Sequence, residues 1–301
     1  MLQNLSYYDP TRALEMYDSM PPGKVEPYTF QSILQYLAQQ DPQAALKVAL
    51  SRKSTTEQSQ AINTAIQAIA RTDPEAAQRQ LASIPEGPTR AAALNSLASG
   101  WASTDPTAAV QWAQGLPGED RLKVMSSILP TMAQNDPAGA AAALMPMLSA
   151  KDTDGNLSSS VSSSASQIVS YWGRTDPAAA GAWVMELPQG NLQDNAVQNL
   201  CYSWCRQDSD GAGKWIDSMP DGKTRDRAVG AMVSTLGERD PALALQWANS
   251  MEDDSQRGAS VSSVIYNWNQ TDPTAARAAA EKADIPEARR EMLLKQLDSK
   301  K

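Results

Sequence analysis

Few side chains in this 301-residue sequence could carry acid–base, covalent or metal chemistry. Paired carboxylates stand at Glu119-Asp120 and Glu252-Asp253-Asp254, and two neighbouring acids with divergent pKa values are what general acid–base catalysis requires. Glu86, Asp152, Asp154, Asp221 and Asp284 occupy similar places. Acids repeated in this way read as solvated groups near helix N-termini, or as a strip that steers a basic partner. There is no histidine, which removes the commonest general base and the commonest metal ligand together. Cys201 and Cys205 supply at most half of a zinc site, and a disulfide between residues four apart in a helix would be strained. They read as small buried hydrophobes. Asp152-Thr153-Asp154-Gly155-Asn156 faintly suggests a calcium loop but lacks the third spaced acid and the closing Glu. No phosphate loop or nucleophile elbow is present. The expectation is no enzyme activity, no cofactor, no metal and no catalytic residue.

The eight tryptophans are the remaining candidates for a site. Trp101, Trp172, Trp204 and Trp268 each precede an Asp by four residues; Trp112, Trp183, Trp215 and Trp247 each follow one by seven. Met, Leu, Ile, Val and Ala take these places elsewhere in the chain, so packing between helices explains them. The functional alternative is an aromatic ladder along a groove that grips a peptide or a sugar.

Those Asp residues define the architecture. Asp-Pro steps begin at 9, 41, 73, 105, 136, 176, 240 and 272, and Asp208-Ser209 holds the same place. The intervals are 32, 32, 32, 31, 40, 32, 32 and 32 residues, the mark of one stacked supersecondary unit. Asp is a strong helix N-cap and Pro suits the first turn, so each step starts a helix, here called B. Ala lies four residues past every Asp, and apolar residues at seven, eight and eleven complete one face. Pro21, Pro85, Pro117, Pro188 and Pro220 stop helix B, and Gly23, Gly87, Gly118, Gly190 and Gly222 allow the turn. Helix A then runs up to the next Asp, with apolar or small residues three, four, seven, eight and eleven before it. Arg71, Arg174 and Arg206 favour its negative end. No stretch alternates with period two.

The predicted fold is all-α: a right-handed α-solenoid (α/α superhelix) of about nine 32-residue helical hairpins. Spacings of about 8–10 Å would carry it over roughly 70–90 Å. It forms a single elongated domain over 1–301. Helix A of the first unit is truncated, eight extra residues fall in a loop near 148–156, and a charge-rich helix over 286–301 caps the end. A start in mid-unit leads to the expectation that a leader or further repeats precede Met1, which would favour the cell envelope or periplasm. The formal charge is −8 and the pI about 4.7. That balance disfavours nucleic acid and anionic membranes, and no apolar run is long enough to span a bilayer.

Segments such as Ser99-Gly100-Trp101-Ala102-Ser103-Thr104-Asp105-Pro106 followed by Ala108-Ala109-Val110-Gln111-Trp112-Ala113 resemble tetratricopeptide-like helical repeats of the bacterial Asp-Pro-x-x-Ala type. The period of 32 and the missing Trp, Leu-Gly and Tyr placement depart from the standard tetratricopeptide. The resemblance covers nearly the whole chain and implies an envelope or scaffold protein. Its style is also similar to the superhelical, non-catalytic domain of soluble lytic transglycosylases. The function expected is a non-enzymatic scaffold binding a protein or peptide, with a basic partner suggested by the charge, on the concave face. The alternatives are an accessory substrate-positioning domain of a glycan-processing envelope enzyme, or a passive spacer.

Overall fold

A computed structural model describes residues 2–21, 28–82, 84, 86–149 and 159–298. Among these the secondary structure is entirely helical, and the chain divides into two compact units, Met1–Ser164 and Ala165–Lys301. The first contains α1 (Leu2–Tyr8), α2 (Pro10–Ser19), α3 (Thr29–Gln40), α4 (Pro42–Ser51), α5 (Thr55–Thr72), α6 (Pro74–Leu81), α7 (Pro88–Ala102), α8 (Pro106–Gln114), α9 (Gly118–Ala133) and α10 (Pro137–Leu144). A 3-10 turn at Met145–Met147 follows, and α11 (Ser159–Thr175) crosses the division between the units. The second continues with α12 (Pro177–Glu186), α13 (Asn191–Gln207), α14 (Ser209–Asp217), α15 (Lys223–Leu236), α16 (Pro241–Asn249), α17 (Asp254–Trp268), α18 (Pro273–Lys282) and α19 (Glu287–Asp298). The loop expected near 148–156, with its calcium-like acids, falls from residue 150 onward outside the described residues, as do Gly23 and Pro85.

One residue joins each A helix to its B helix. At Asp9, Asp41, Asp73, Asp105, Asp136, Asp176, Asp208, Asp240 and Asp272 the backbone repeats, with φ between −136° and −149° and ψ between 76° and 91°. Every one of these amides donates to the carbonyl four residues back, at 2.7–2.8 Å, closing the last turn of helix A. Every Oδ1 accepts the amide three residues ahead, at 2.8–3.0 Å, opening helix B. A single Asp therefore satisfies backbone groups of two helix ends that would otherwise be orphaned.

The opposite turn, from B to A, is closed by a different residue. Gln58, Arg90, Gln193 and Arg257 each stand fifteen residues before a hinge Asp, and their side chains donate to carbonyls at or just past the end of the preceding B helix. Gln193 alone reaches the carbonyls of Val184, Met185 and Leu187, at 3.1–3.3 Å. Gly87, Gly190 and Gly222, which immediately precede α7, α13 and α15, have φ of 143°, 120° and 136°, a region L-residues rarely occupy.

The core follows the predicted stripes. All nine alanines at the fourth position of the B helices are fully buried, where a larger side chain would hold neighbouring helices apart. Ile62, Ala65, Ile66, Ile69 and Ala70 of α5, and Val197, Leu200, Cys201, Trp204 and Cys205 of α13, are buried as the A-helix spacing predicts. Each A helix also packs on the next: α1 on α3, α3 on α5, α5 on α7 and α7 on α9 in the first unit; α13 on α15, α15 on α17 and α17 on α19 in the second.

Candidate functional site

The tryptophans are packed, and most keep an edge toward solvent. Trp183 and Trp204 are buried, while Trp101, Trp112, Trp172, Trp215, Trp247 and Trp268 are half-buried. Three pairs form within helix pairs, at 5.5 Å for Trp101–Trp112, 6.1 Å for Trp172–Trp183 and 5.5 Å for Trp204–Trp215, with rings tilted by 31–38°. Contact also passes from one B helix to the next. Trp215 lies over Gly181 and Trp247 over Gly213, each glycine five residues past its hinge Asp. The sequence holds this small-against-large pairing, although it becomes visible only when adjacent repeats are aligned.

Two acids that the composition gave no reason to single out are buried. Asp194 and Asp226 each stand fourteen residues before a hinge Asp and are 3% and 2% exposed. Asp226 accepts the Glu252 and Asp253 amides at 2.9 Å each. Asp194 accepts the Thr224 hydroxyl at 2.9 Å, and Lys223 Nζ lies 2.8 Å from its other oxygen. Burial pushes the Asp194 carboxyl up, but the Lys223 and Thr224 hydrogen bonds and the Lys223 and Arg227 charges outweigh it and hold the group below its usual range. In the first unit Ser59, at the equivalent position, bonds Thr89 at 2.9 Å. The register therefore ties the start of one A helix to the next. Clefts of about 390 and 520 Å³ open beside Asp194 and Asp226, with both carboxylates already committed to protein partners.

Two of the turn acids have local partners. Asp253 caps α17 through the Gln256 amide at 2.7 Å, and Asp254 pairs with Arg257. Among the described residues, no group of three His, Cys, Asp or Glu could hold a metal, and no helix is long and apolar enough to cross a membrane. Cys201 and Cys205 are buried. A hydrogen bond with Cys205, together with burial, holds the Cys201 thiol well above its usual range.

The acidic balance has a structural origin. Of 34 acidic residues nine are the hinge aspartates, which leaves 25 acids against 26 basic residues. The hinge aspartates alone thus number about as many charges as the net excess of −8.

The A helices present a different surface. From twelve to three residues before the hinge Asp, none of the eight complete windows and no residue of the shortened first one is Asp, Glu, Lys or Arg, although a fifth of the chain is charged. Within that window most residues ten, nine, six and five before the Asp are half-buried or exposed, with Gly100 and Ala231 buried as exceptions. Gln31, Gln35, Asn199, Tyr202, Ser263 and Asn267 are exposed there. A cleft of about 250 Å³ runs between α3 and α5, lined by Gln31, Gln35, Gln39, Thr64, Gln67 and Arg71 among others. Charges return only at the margins of the window, as Lys123 and Arg227 at one end and Arg71, Arg174 and Arg206 at the other. The signal lay in the sequence as an absence, which motif reading does not register.

This geometry defines the class: an all-α protein of Asp-hinged helix pairs whose A helices share an uncharged, hydrogen-bonding exterior. Comparison with protein-family models and with curated proteins found no match to the chain.

Proposed function

We propose that the helix pairs stack as a right-handed α-solenoid of about nine hairpins, tetratricopeptide-like in style, and that the protein is a non-enzymatic scaffold. Its partner is a protein or peptide, bound along the A-helix exterior with the half-buried Trp edges as flanking contacts. One observation carries this reading. The A-helix exterior keeps one chemical character through every repeat, whereas the hinge and turn residues are consumed in capping and inter-helix ties. A surface held uniform over successive helices suits an extended ligand that touches each in turn.

Site-specific photo-crosslinking tests it. A benzophenone side chain at Gln35 or Tyr202, on A helices, should capture discrete protein species from source-cell extract. The same group at Lys47, exposed on α4, should not. Equal capture from both faces, or none from the A face, refutes the scaffold reading.

A further inference from the structure

The chemistry of the A-helix exterior narrows the partner. Resting on the scaffold reading, we infer that this surface takes an extended polypeptide segment that is itself uncharged, and that it discriminates against charged ones.

Side-chain size does not explain the missing charge. Gln31, Gln35, Gln67, Asn63, Asn95 and Asn199 hold the volume of Glu or Asp. Nor does folding explain it at the open positions, although the Oδ1 atoms of Asn63 and Asn95 are buried. Gln31, Gln35 and Asn199 are exposed, where a carboxylate would stay hydrated at little cost to the free protein. Mutual repulsion is no explanation either, because alternating Lys and Glu would have been attractive. What a charge here would oppose is burial under a ligand that offers it no counter-charge, since covering an unpaired ion costs several times what covering a hydrogen-bonded amide costs.

The complementary partner is therefore neutral over its contact length and can exchange hydrogen bonds with Gln, Asn and hydroxyl groups. A polypeptide backbone with Ser, Thr, Asn, Gln or aromatic side chains meets that description. The dimensions agree. The ten-residue window is about 15 Å long on each helix, ample for one extended chain crossing it. At about 8–10 Å between helices and about 3.3 Å per extended residue, the five successive A helices of the first unit span about 10–12 peptide residues. The acids whose balance suggested a basic partner all lie outside this window, nine of them at the hinges.

The test is selection of random 12-residue peptides displayed on phage against the full chain. The selected peptides should be depleted of Asp, Glu, Lys and Arg. Their affinity should change less than about twofold between about 0.05 and 0.5 M NaCl, because no ion pair is screened. The double variant Gln31→Glu/Gln35→Glu should keep its thermal midpoint and weaken peptides bound over α3 by about tenfold or more. Lys47→Glu on α4 should leave them unchanged. Enrichment of basic or acidic peptides, strong salt dependence, or indifference to the Glu substitutions overturns the inference while leaving the scaffold reading to the crosslinking result. Absence of any enriched peptide also overturns it, as does binding of a neutral oligosaccharide such as chitohexaose to the same face in place of peptide.

Discussion

Trp215 of α14 rests against the bare backbone of Gly181 in α12, so closely that a β-carbon on Gly181 would stand 2.8 Å from the indole Nε1. The pair couples two B helices at one point, and its sign is testable. Gly181→Ala gains about 1 kcal/mol of helix propensity but must displace a half-buried indole, an overpacking cost of about 1–3 kcal/mol. Net destabilisation is expected in the native background. In Trp215→Leu the same change should become stabilising, and urea unfolding of the four-member cycle reads the reversal.

The hinge aspartates cap through Oδ1 as a hydrogen-bond acceptor, a role that the Asn side-chain oxygen can also fill. Asp105→Ala should cost about 0.5–2 kcal/mol, whereas Asp105→Asn, an equally good cap, should cost only a small part of that. Thermal unfolding of the two variants at matched ionic strength separates them.

The Gln193 side chain covers three carbonyls at once. Gln193→Leu keeps much of the volume and removes the side-chain donor from all three, leaving the Val184 carbonyl with only the Leu187 amide. A loss of about 1–3 kcal/mol is expected, with faster hydrogen exchange at the end of α12 and the start of α13 as its local signature.

Asp194 gives a pH dependence of defined sign. Its carboxyl titrates below the ordinary range in the folded chain. Its contribution is therefore fully present above the ordinary aspartate value, and is lost as pH falls through the lowered folded value. Asp194→Asn should lower the urea midpoint at neutral pH, and the gap from wild type should close in acid. A gap that widened on acidification would reverse the assignment.

Burial and a raised pKa make the Cys201 thiol inert. A hydrogen bond from Cys201 lowers the pKa of the Cys205 thiol, so its protection rests on burial alone; native protein should react with a disulfide reagent at neither cysteine, and unfolded protein at both. Fast native labelling at neutral pH would place Cys201 or Cys205 in an opening the packing does not show.

What was legible in the sequence obeys local rules. The Asp hinge, the fourth-position Ala and the A-helix stripe depend on neighbours within a turn or two, and all appear where the spacing puts them. Asp194, Asp226 and Gln193 escaped because their partners lie six to thirty residues away, in the next turn or the next repeat. The Gly181–Trp215 contact escaped for the same reason. The uncharged A-helix window was fully present in the sequence, yet a site made of missing residue types has no motif to announce it.

The hinge also bears on how such a chain can change length over evolution. Because one Asp ends helix A and starts helix B, that junction has no slack. A single inserted residue would turn everything beyond it by about 100° and carry its buried Ala out of register. The B-to-A turn, held in four places by one long Arg or Gln side chain, is forgiving. The chain's two departures from a 32-residue spacing, 31 and 40, both fall in B-to-A stretches. Insertions and deletions, and any new recognition loops that arise from them, are thus confined to the B-to-A turns.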